Sequence, residues 1–252
     1  MNRSITKFIL LFSFSIAILY HISCTKNQTE NLPNIGQNYF PLQIGRTLTY
    51  DVDSIIYDPQ PNKSVKIDTQ RWQFREVTKD TFRDNTNLLT YRIELSQRRR
   101  STIAWQIAKT VSEAISTDQI LRGEDNQRYI KLPLAFTEKT TWNGHIYNDV
   151  NAIFNIADET LLPFSKKWAH RIETYQKSEK IGTKTYDDVL TIIGQTTVSS
   201  LIEKRYMLEK YAKNVGLVYR EWHILDTQKT DGNIAWEKRA EKGVIVVHRI
   251  ID

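Results

Sequence analysis

Histidine is the residue type in this chain that most readily carries out acid–base chemistry or binds a metal. Apart from His21 near the N-terminus, the chain has His145, His170, His223 and His248, widely separated in the sequence. No two of them stand two or four residues apart, the spacing that would place two imidazoles on one face of a strand or helix. The sequence therefore predicts four unrelated histidines and no metal site, unless distant strands assemble one.

A hydrolase is the enzymatic alternative that these residues leave open. Histidine is the commonest general base, so His145, His170 or His223 would be the first candidates. Each would need an Asp or Glu within about 3 Å, beside a cleft. We expect the fold not to provide such a pair, and we predict no catalytic residue.

Paired carboxylates could serve a glycosidase, and Asp187, Asp188 and Glu173 are the candidates. Adjacent residues of a strand point to opposite faces, so Asp187 and Asp188 cannot act as a facing pair. The sequence also contains no G-x-S-x-G elbow, no complete penicillin-binding set and no glycine-rich phosphate loop. These observations predict a non-catalytic protein without a cofactor.

Arginine supplies the densest charge in the chain, as the run Arg98, Arg99 and Arg100. The planar guanidinium pairs well with phosphate and carboxylate, so this run could contact lipid headgroups or an acidic partner protein. The alternative is a solvated hairpin end. A looser basic region has the same two interpretations and consists of Lys166, Lys167, Arg171, Lys177 and Lys180.

Tryptophan is plentiful, and its large rings could line a groove for a sugar or a lipid. The same rings are also ordinary filling for the core of a β-protein, and the sequence does not distinguish the two roles. The six residues are Trp72, Trp105, Trp142, Trp168, Trp222 and Trp236.

The single cysteine, Cys24, follows an export signal. Arg3 and Lys7 form a basic n-region, residues 8–22 are an apolar run of h-region length, and the small Ser23 precedes the cysteine. This order resembles a bacterial lipoprotein signal, which implies cleavage before Cys24 and acylation of its thiol, for example with palmitate. An uncleaved membrane anchor and ordinary signal-peptide cleavage are the alternatives.

Acylation of Cys24 would leave a folded body without disulfides, so a hydrophobic core must stabilise it. The formal charge of +6 falls to +4 when Arg3 and Lys7 are removed, a mild excess that suits an anionic membrane and predicts no nucleic-acid partner. We expect a protein held in the bacterial cell envelope by acyl chains. The residues after Cys24 lack an acidic cluster that resembles a surface-export signal, which favours the periplasmic side of the outer membrane.

Alternation of apolar and polar residues dominates the rest of the chain. Leu48-Tyr50-Val52 and Leu89-Tyr91-Ile93-Leu95 have the period of strands with one buried face, and turn residues such as Asn143-Gly144 separate such runs. This pattern predicts a mainly β protein with few short helices. Its roughly ten to twelve antiparallel strands would form an open or half-closed barrel or stacked sheets.

The chain divides into three predicted parts. Residues 1–23 are the signal peptide, residues 24–36 are a polar tether that starts at the lipidated cysteine, and residues 37–252 are a single β-rich domain.

Several motifs carry a family resemblance. Tyr39-Phe40-Pro41-Leu42, with Gly45 and then Leu48-Tyr50-Val52, resembles the opening of a group of Bacteroidota cell-envelope lipoproteins without an assigned activity. Trp142-Asn143-Gly144 and Tyr211–Glu221 (YAKNVGLVYRE) resemble later motifs of the same group. The resemblance covers nearly all of the chain after the signal, although Thr47-Leu48 stands where the group has an aromatic residue. It implies a place in the envelope and no activity.

Two segments, Ser101–Ser116 and Ser199–Lys213, are the candidates for helices. In the second, the resemblance and the length favour extended structure.

The predicted function is therefore a non-catalytic binding or assembly module. Two kinds of partner compete for this role: an apolar ligand held by a concave sheet, or another envelope protein. A deep apolar pocket of several hundred Å³ would favour the ligand, and a filled core with a flat aromatic patch would favour the protein.

Overall fold

The computed structural model describes residues 35–149, 151, 154–156, 159–161, 168–196 and 200–251. The predicted signal, Cys24 and the tether up to residue 34 lie outside the described residues. Residues 33–252 make up one of two compact units of the chain. Because this unit contains a hydrophobic core of its own, we expect it to fold without the residues that precede it.

The described residues contain a 3-10 turn at Gly36–Tyr39, a short helix α1 at Trp236–Arg239, and strands β1 to β14. No helix in the described ranges has the length and apolar character to cross a bilayer. In chain order the strands are β1 (Thr47–Pro59), β2 (Val65–Arg83), β3 (Leu89–Arg98), β4 (Gln106–Ile115), β5 (Gln119–Glu124), β6 (Gln127–Pro133), β7 (Thr141–Trp142), β8 (Phe154–Ile156), β9 (Glu159–Leu161), β10 (Trp168–Ile181), β11 (Lys184–Thr196), β12 (Glu203–Ala212), β13 (Gly216–Asp226) and β14 (Lys242–Ile250).

Twelve of these strands form one antiparallel sheet in the order β6-β5-β4-β3-β2-β1-β14-β13-β12-β11-β10-β7, and β8 pairs with β9 separately. The two ends of the large sheet come together. The Ile130 N–H donates to the Gly144 carbonyl at 2.9 Å, and the Trp142 indole N–H donates to the Ile130 carbonyl at 3.0 Å. The sheet is therefore a nearly closed barrel, which confirms the prediction of a mainly β, half-closed antiparallel architecture.

One face of the sheet is buried inside this barrel. Leu48, Tyr50 and Val52 of β1 are buried while Thr47 and Asp51 are exposed, the alternation expected of a strand with one face toward a core. Other large side chains of the same core are Ile120, Leu132, Phe136, Ile172, Leu190, Ile192 and Tyr211.

The 3-10 turn delivers Tyr39 and Phe40 to that core. The Gly36 N–H donates to the Leu134 carbonyl at 2.8 Å, and a Cβ at Gly36 would lie only 2.9 Å from the Leu134 backbone. The Tyr39 hydroxyl donates to the Asp188 carboxylate at 2.6 Å. The chain is thus fixed to the barrel from Gly36 onward.

Both candidate helices contain strands. β4 occupies most of Ser101–Ser116, and β12, where extended structure is predicted, lies within Ser199–Lys213. In β12 the buried residues Arg205, Met207 and Glu209 alternate with less buried ones, and the strand pairs with β11 and β13 along its length. Pairing on both edges selects the strand over the weak helical spacing.

Candidate functional site

A cavity of about 370 Å³ lies inside the barrel. Side chains from ten strands around the sheet line it, which places it within the barrel and not on its outer surface. One residue from each of these strands is Tyr50, Phe74, Leu95, Lys109, Arg122, Ile130, His170, Met207, Trp222 and Val246.

Most of the cavity wall is apolar. Phe74, Met207 and Trp222 provide large, polarisable surfaces, and Leu95, Ile224, Val244 and Val246 complete the wall. These residues face inward because they occupy alternate positions of β2, β12, β13 and β14. An apolar cavity of this volume can bury an apolar or amphipathic small molecule.

One part of the wall carries ion pairs centred on Arg122, which is 4 % exposed. Its guanidinium donates to Glu113 at 2.6 Å, to Glu124 at 2.9 Å and to Glu76 at 3.1 Å. Glu113 faces Arg122 across the β4–β5 pair, and Glu124 lies two residues farther along β5, on the same face. The sheet register therefore brings Glu113 and Glu124 to one cation, and Glu76 of β2 contacts the same guanidinium.

Glu209 of β12 is the centre of a second group of ion pairs and is completely buried. Its carboxylate accepts from Lys131 Nζ at 2.7 Å, from Arg220 Nε at 2.9 Å and from the Tyr211 hydroxyl at 2.7 Å. Burial by itself opposes ionisation, but the charges of Lys131 and Arg220 outweigh it and hold the pKa of Glu209 well below its ordinary range.

Glu124 is held ionised in the same way. Burial opposes its charge, but the charges of Arg122 and Lys109 keep its pKa well below the ordinary range. Lys109 Nζ lies 2.6 Å from Glu124 and 2.7 Å from Asp125. Carboxylates as acidic as Glu124 and Glu209 do not exchange protons near neutral pH, so these two residues supply fixed charges and hydrogen bonds.

Three of the predicted unrelated histidines, His145, His170 and His248, line this one cavity. The prediction that they are unrelated is wrong for these three. The closing of the barrel brings His145 and His170 together, with ring centroids 5.2 Å apart, at the place where the two sheet ends meet. Each also stacks on a tryptophan: His170 on Trp142 and His145 on Trp168.

The protonation state of His170 follows from its contacts. The Gly144 N–H donates to His170 Nδ1 at 3.1 Å, so the neutral ring carries its proton on Nε2. Burial, followed by the charge of Lys131, lowers the pKa of His170 to about 3. Burial, followed by His170 and Lys131, lowers the pKa of His145 to about 2. Both rings are therefore neutral at physiological pH.

His248 of β14 lies on another part of the cavity wall. Its ring stacks on Phe74, with centroids 5.8 Å apart and planes inclined at 19°. Burial, followed by the charge of Arg220, lowers the pKa of His248 to about 3. Among the described residues, no group of three or more His, Cys, Asp or Glu side chains is placed to hold a metal ion.

His223 meets one of the two conditions for a hydrolase site, a carboxylate within about 3 Å. Its Nε2 lies 2.5 Å from Glu221 Oε1. Both residues alternate along β13 with Arg220 and Trp222, which line the cavity, so they point to the opposite face of the sheet. Burial lowers the pKa of His223, although the hydrogen bond to Glu221 raises it. The pair therefore lies outside the cavity.

The other candidates from the sequence lie away from the cavity. Asp188 binds Tyr39 and lies 3.5 Å from Lys213, and Asp187 is exposed. Arg98 and Arg99 lie over the rings of Trp105 and Trp72, at 4.2 and 4.4 Å from their centroids. Lys166 and Lys167 lie outside the described residues.

The ion pairs of Arg122 and Glu209 were not predicted from the sequence. Glu113, Arg122 and Glu124 occur in strand-like segments, but only the pairing of β4 with β5 shows that they meet. A charged residue at an inward position of an alternating strand, such as Glu209 between Met207 and Tyr211, was the available signal.

Comparisons with known proteins add little to this geometry. No protein-family model and no curated protein matches the chain. One similar solved structure is a Bacteroides fragilis protein assigned as exported, with a YmcC-like fold; it has a TM-score of 0.35 and 11 % identity over 84 % of this chain and 98 % of that one. Another, assigned as a lipoprotein of Parabacteroides distasonis, has a TM-score of 0.30 and 13 % identity over 84 % and 96 % of the two chains. At these values neither match carries an argument about function, so the resemblance to Bacteroidota lipoproteins stays a prediction.

Proposed function

We propose that this protein is a lipid-anchored envelope protein that holds an apolar or amphipathic small molecule inside its barrel. The observation that carries the proposal is the cavity of about 370 Å³ with its largely apolar wall. The sequence left two kinds of partner open, an apolar ligand and another envelope protein. A cavity of this kind favours the ligand, because a barrel with a filled core would have no room for a small molecule.

The polar groups of the cavity suit binding better than catalysis. His170 offers an Nε2–H donor, and the Arg220 guanidinium adds a charged donor on the same wall. Glu124 and Glu209 are held ionised by the cations beside them, and His145, His170 and His248 are held neutral by burial. Hydrolase chemistry, the alternative function, would need one of these groups to exchange a proton near neutral pH. The proposed role is therefore non-catalytic.

Binding of the dye ANS to residues 33–252 tests the cavity. We expect saturable binding with increased fluorescence, because the dye combines an apolar body with one polar head. Val246→Trp places a large ring in the cavity and should weaken dye binding at least tenfold, whereas Ile107→Trp, at a position 69 % exposed, should leave it unchanged.

Circular dichroism and the denaturation midpoint of both variants show whether each is folded. Equal dye binding by a folded Val246→Trp variant and by the unsubstituted protein would refute the cavity as the binding site. Native mass spectrometry of the unsubstituted protein then identifies any small molecule that co-purifies.

Acylation of Cys24 is the proposed anchor, at the periplasmic side of the outer membrane. Wild-type cells should incorporate labelled palmitate into the protein and retain it in the membrane fraction. Cys24→Ala should lose the label, since no other cysteine exists in the chain. An unlabelled, soluble wild-type protein would contradict the anchor, and digestion of the body by protease added to intact cells would contradict the periplasmic side.

A further inference from the structure

A second surface, separate from the barrel cavity, carries a concentration of positive charge. A groove of about 720 Å³ is lined by Arg71, Lys184 and Arg249 together with the aromatic rings of Trp72 and Tyr186. The side chain of Arg71 is 85 % exposed. We call this groove, together with the adjoining arginine run Arg98–Arg100, the basic rim.

The arginine run joins the groove through Trp72. The Arg99 guanidinium lies over the Trp72 ring at 4.4 Å from its centroid, and Trp72 itself lines the groove. Arg98 lies opposite Gln73 in the β2–β3 pair and donates to its side chain at 2.8 Å. The end of β3 and the groove are therefore one continuous surface.

Positive charge outnumbers negative charge on the basic rim. Asp53 lies between Arg71 and Arg249, at 3.1 and 2.7 Å, and Asp51 accepts from Gln73. Within the described part of the chain, Arg99, Arg100 and Lys184 form no ion pair with a carboxylate. The rim thus sets six cations against two carboxylates: Arg71, Arg98, Arg99, Arg100, Lys184 and Arg249 against Asp51 and Asp53.

Apolar side chains are exposed beside these cations. Ile251 lines the groove and is 42 % exposed, and Ile103, three residues after Arg100, is 43 % exposed. Trp72 and Trp105 add rings whose faces are covered by guanidinium groups. Cations, aromatic rings and aliphatic side chains on one surface match the layers of a bilayer interface, where phosphates lie above the acyl region.

The chain also enters the barrel beside the basic rim. The Asn38 carbonyl accepts from the Asn214 N–H at 2.7 Å, and the next residue, Val215, lines the groove. The thirteen residues from Cys24 to Gly36 are joined by twelve Cα–Cα steps and can span at most about 43 Å, so an anchor at Cys24 keeps this point of the barrel within that distance of the membrane.

We propose that the basic rim docks on the anionic phosphate headgroups of the membrane to which the protein is anchored. Arginine forks and Lys184 would pair with phosphate oxygens, and Ile103 and Ile251 would enter the headgroup layer. The proposal uses the anchor of the proposed function but does not depend on the cavity or its ligand. It places one side of the barrel against the bilayer.

Vesicle sedimentation with residues 33–252, which lack the anchor, tests the basic rim by itself. The protein should bind vesicles of phosphatidylcholine containing about one-third phosphatidylglycerol and should not bind phosphatidylcholine alone. Each cation near an anionic surface strengthens binding about fivefold. The triple substitution Arg71→Ser, Arg99→Ser, Lys184→Ser should therefore weaken binding about a hundredfold.

A matched control removes three exposed cations elsewhere: Lys79→Ser, Arg83→Ser, Arg128→Ser. It changes the net charge equally and should retain most of the binding. Circular dichroism confirms that both variants are folded, and salt at about 0.5 M should release the unsubstituted protein.

Equal loss in the two triple variants would overturn the proposal, because net charge alone would then explain binding. Failure of the unsubstituted protein to bind the anionic vesicles would also overturn the proposal. If the protein instead bound polyglutamate through the basic rim and did not bind vesicles, the surface would be assigned to an acidic protein partner. ANS binding is measured separately, so failure of the rim and failure of the cavity are distinguishable.

Discussion

At the scale of single residues, Glu209 shows how this barrel places charge in its interior. Its carboxylate is 0 % exposed and accepts from three side chains, so its oxygens are well supplied with donors. A buried charge is costly unless it is paired and hydrogen-bonded. Removing the carboxylate would leave Lys131 and Arg220 without their shared partner.

Glu209→Gln should destabilise the fold by about 3 kcal/mol, the lower end of the range for breaking a buried ion pair. The lower end applies because burial already lowers the pKa of Lys131, which can therefore lose its proton when its partner is gone. Urea denaturation measures the change. Glu203→Gln, at an exposed position of the same strand, should change stability by less than about 0.5 kcal/mol. Equal stabilities of the two variants would show that the ion pairs of Glu209 contribute nothing to the fold.

At the scale of elements, the place where the sheet ends meet explains what the sequence could and could not predict. Period-two alternation predicted strands such as β1 and β3, because the alternation of apolar and polar residues within a strand shows which of its faces is buried. Asn143-Gly144 was predicted only as a turn. In the structure this turn also closes the barrel, since Gly144 binds Ile130 through its carbonyl and His170 through its N–H.

The role of Gly144 depends on residues far away in the sequence. An ideal Cβ on Gly144 would lie 2.5 Å from the His170 ring, so only glycine permits this approach. The residues around position 144 do not indicate a contact with a histidine at position 170, and the residues around Glu113 do not indicate a contact with Arg122. Local patterns were therefore enough to predict the strands. The cavity and its charged wall depend on the order and register of the strands in the sheet, which cannot be predicted from a single sequence.

At the scale of the whole molecule, the barrel encloses His145, His170 and His248, from three separate parts of the chain, in their neutral forms. Each has a folded-state pKa of about 2 or 3, below the ordinary value of 6.5 for an exposed histidine. Between these values the unfolded chain binds more protons than the folded one. Stability should therefore be complete above pH 6.5 and fall as the pH is lowered from there.

Urea denaturation between pH 4.5 and 6.5 should show this loss of stability. Each buried neutral histidine contributes about 1.4 kcal/mol per pH unit, so the three together give at most about 4 kcal/mol per unit. Glu113 has the opposite effect on stability in acid, because burial raises its pKa and the folded protein then binds the extra proton. Glu124 and Glu209 have lowered pKa values, so their contribution to stability is lost only below about pH 4.5. His248→Phe keeps the ring that stacks on Phe74 and removes one titrating group, so it should reduce the slope by about 1.4 kcal/mol per unit. A slope unchanged by His248→Phe would show that protonation of this wall of the barrel does not limit its stability in acid.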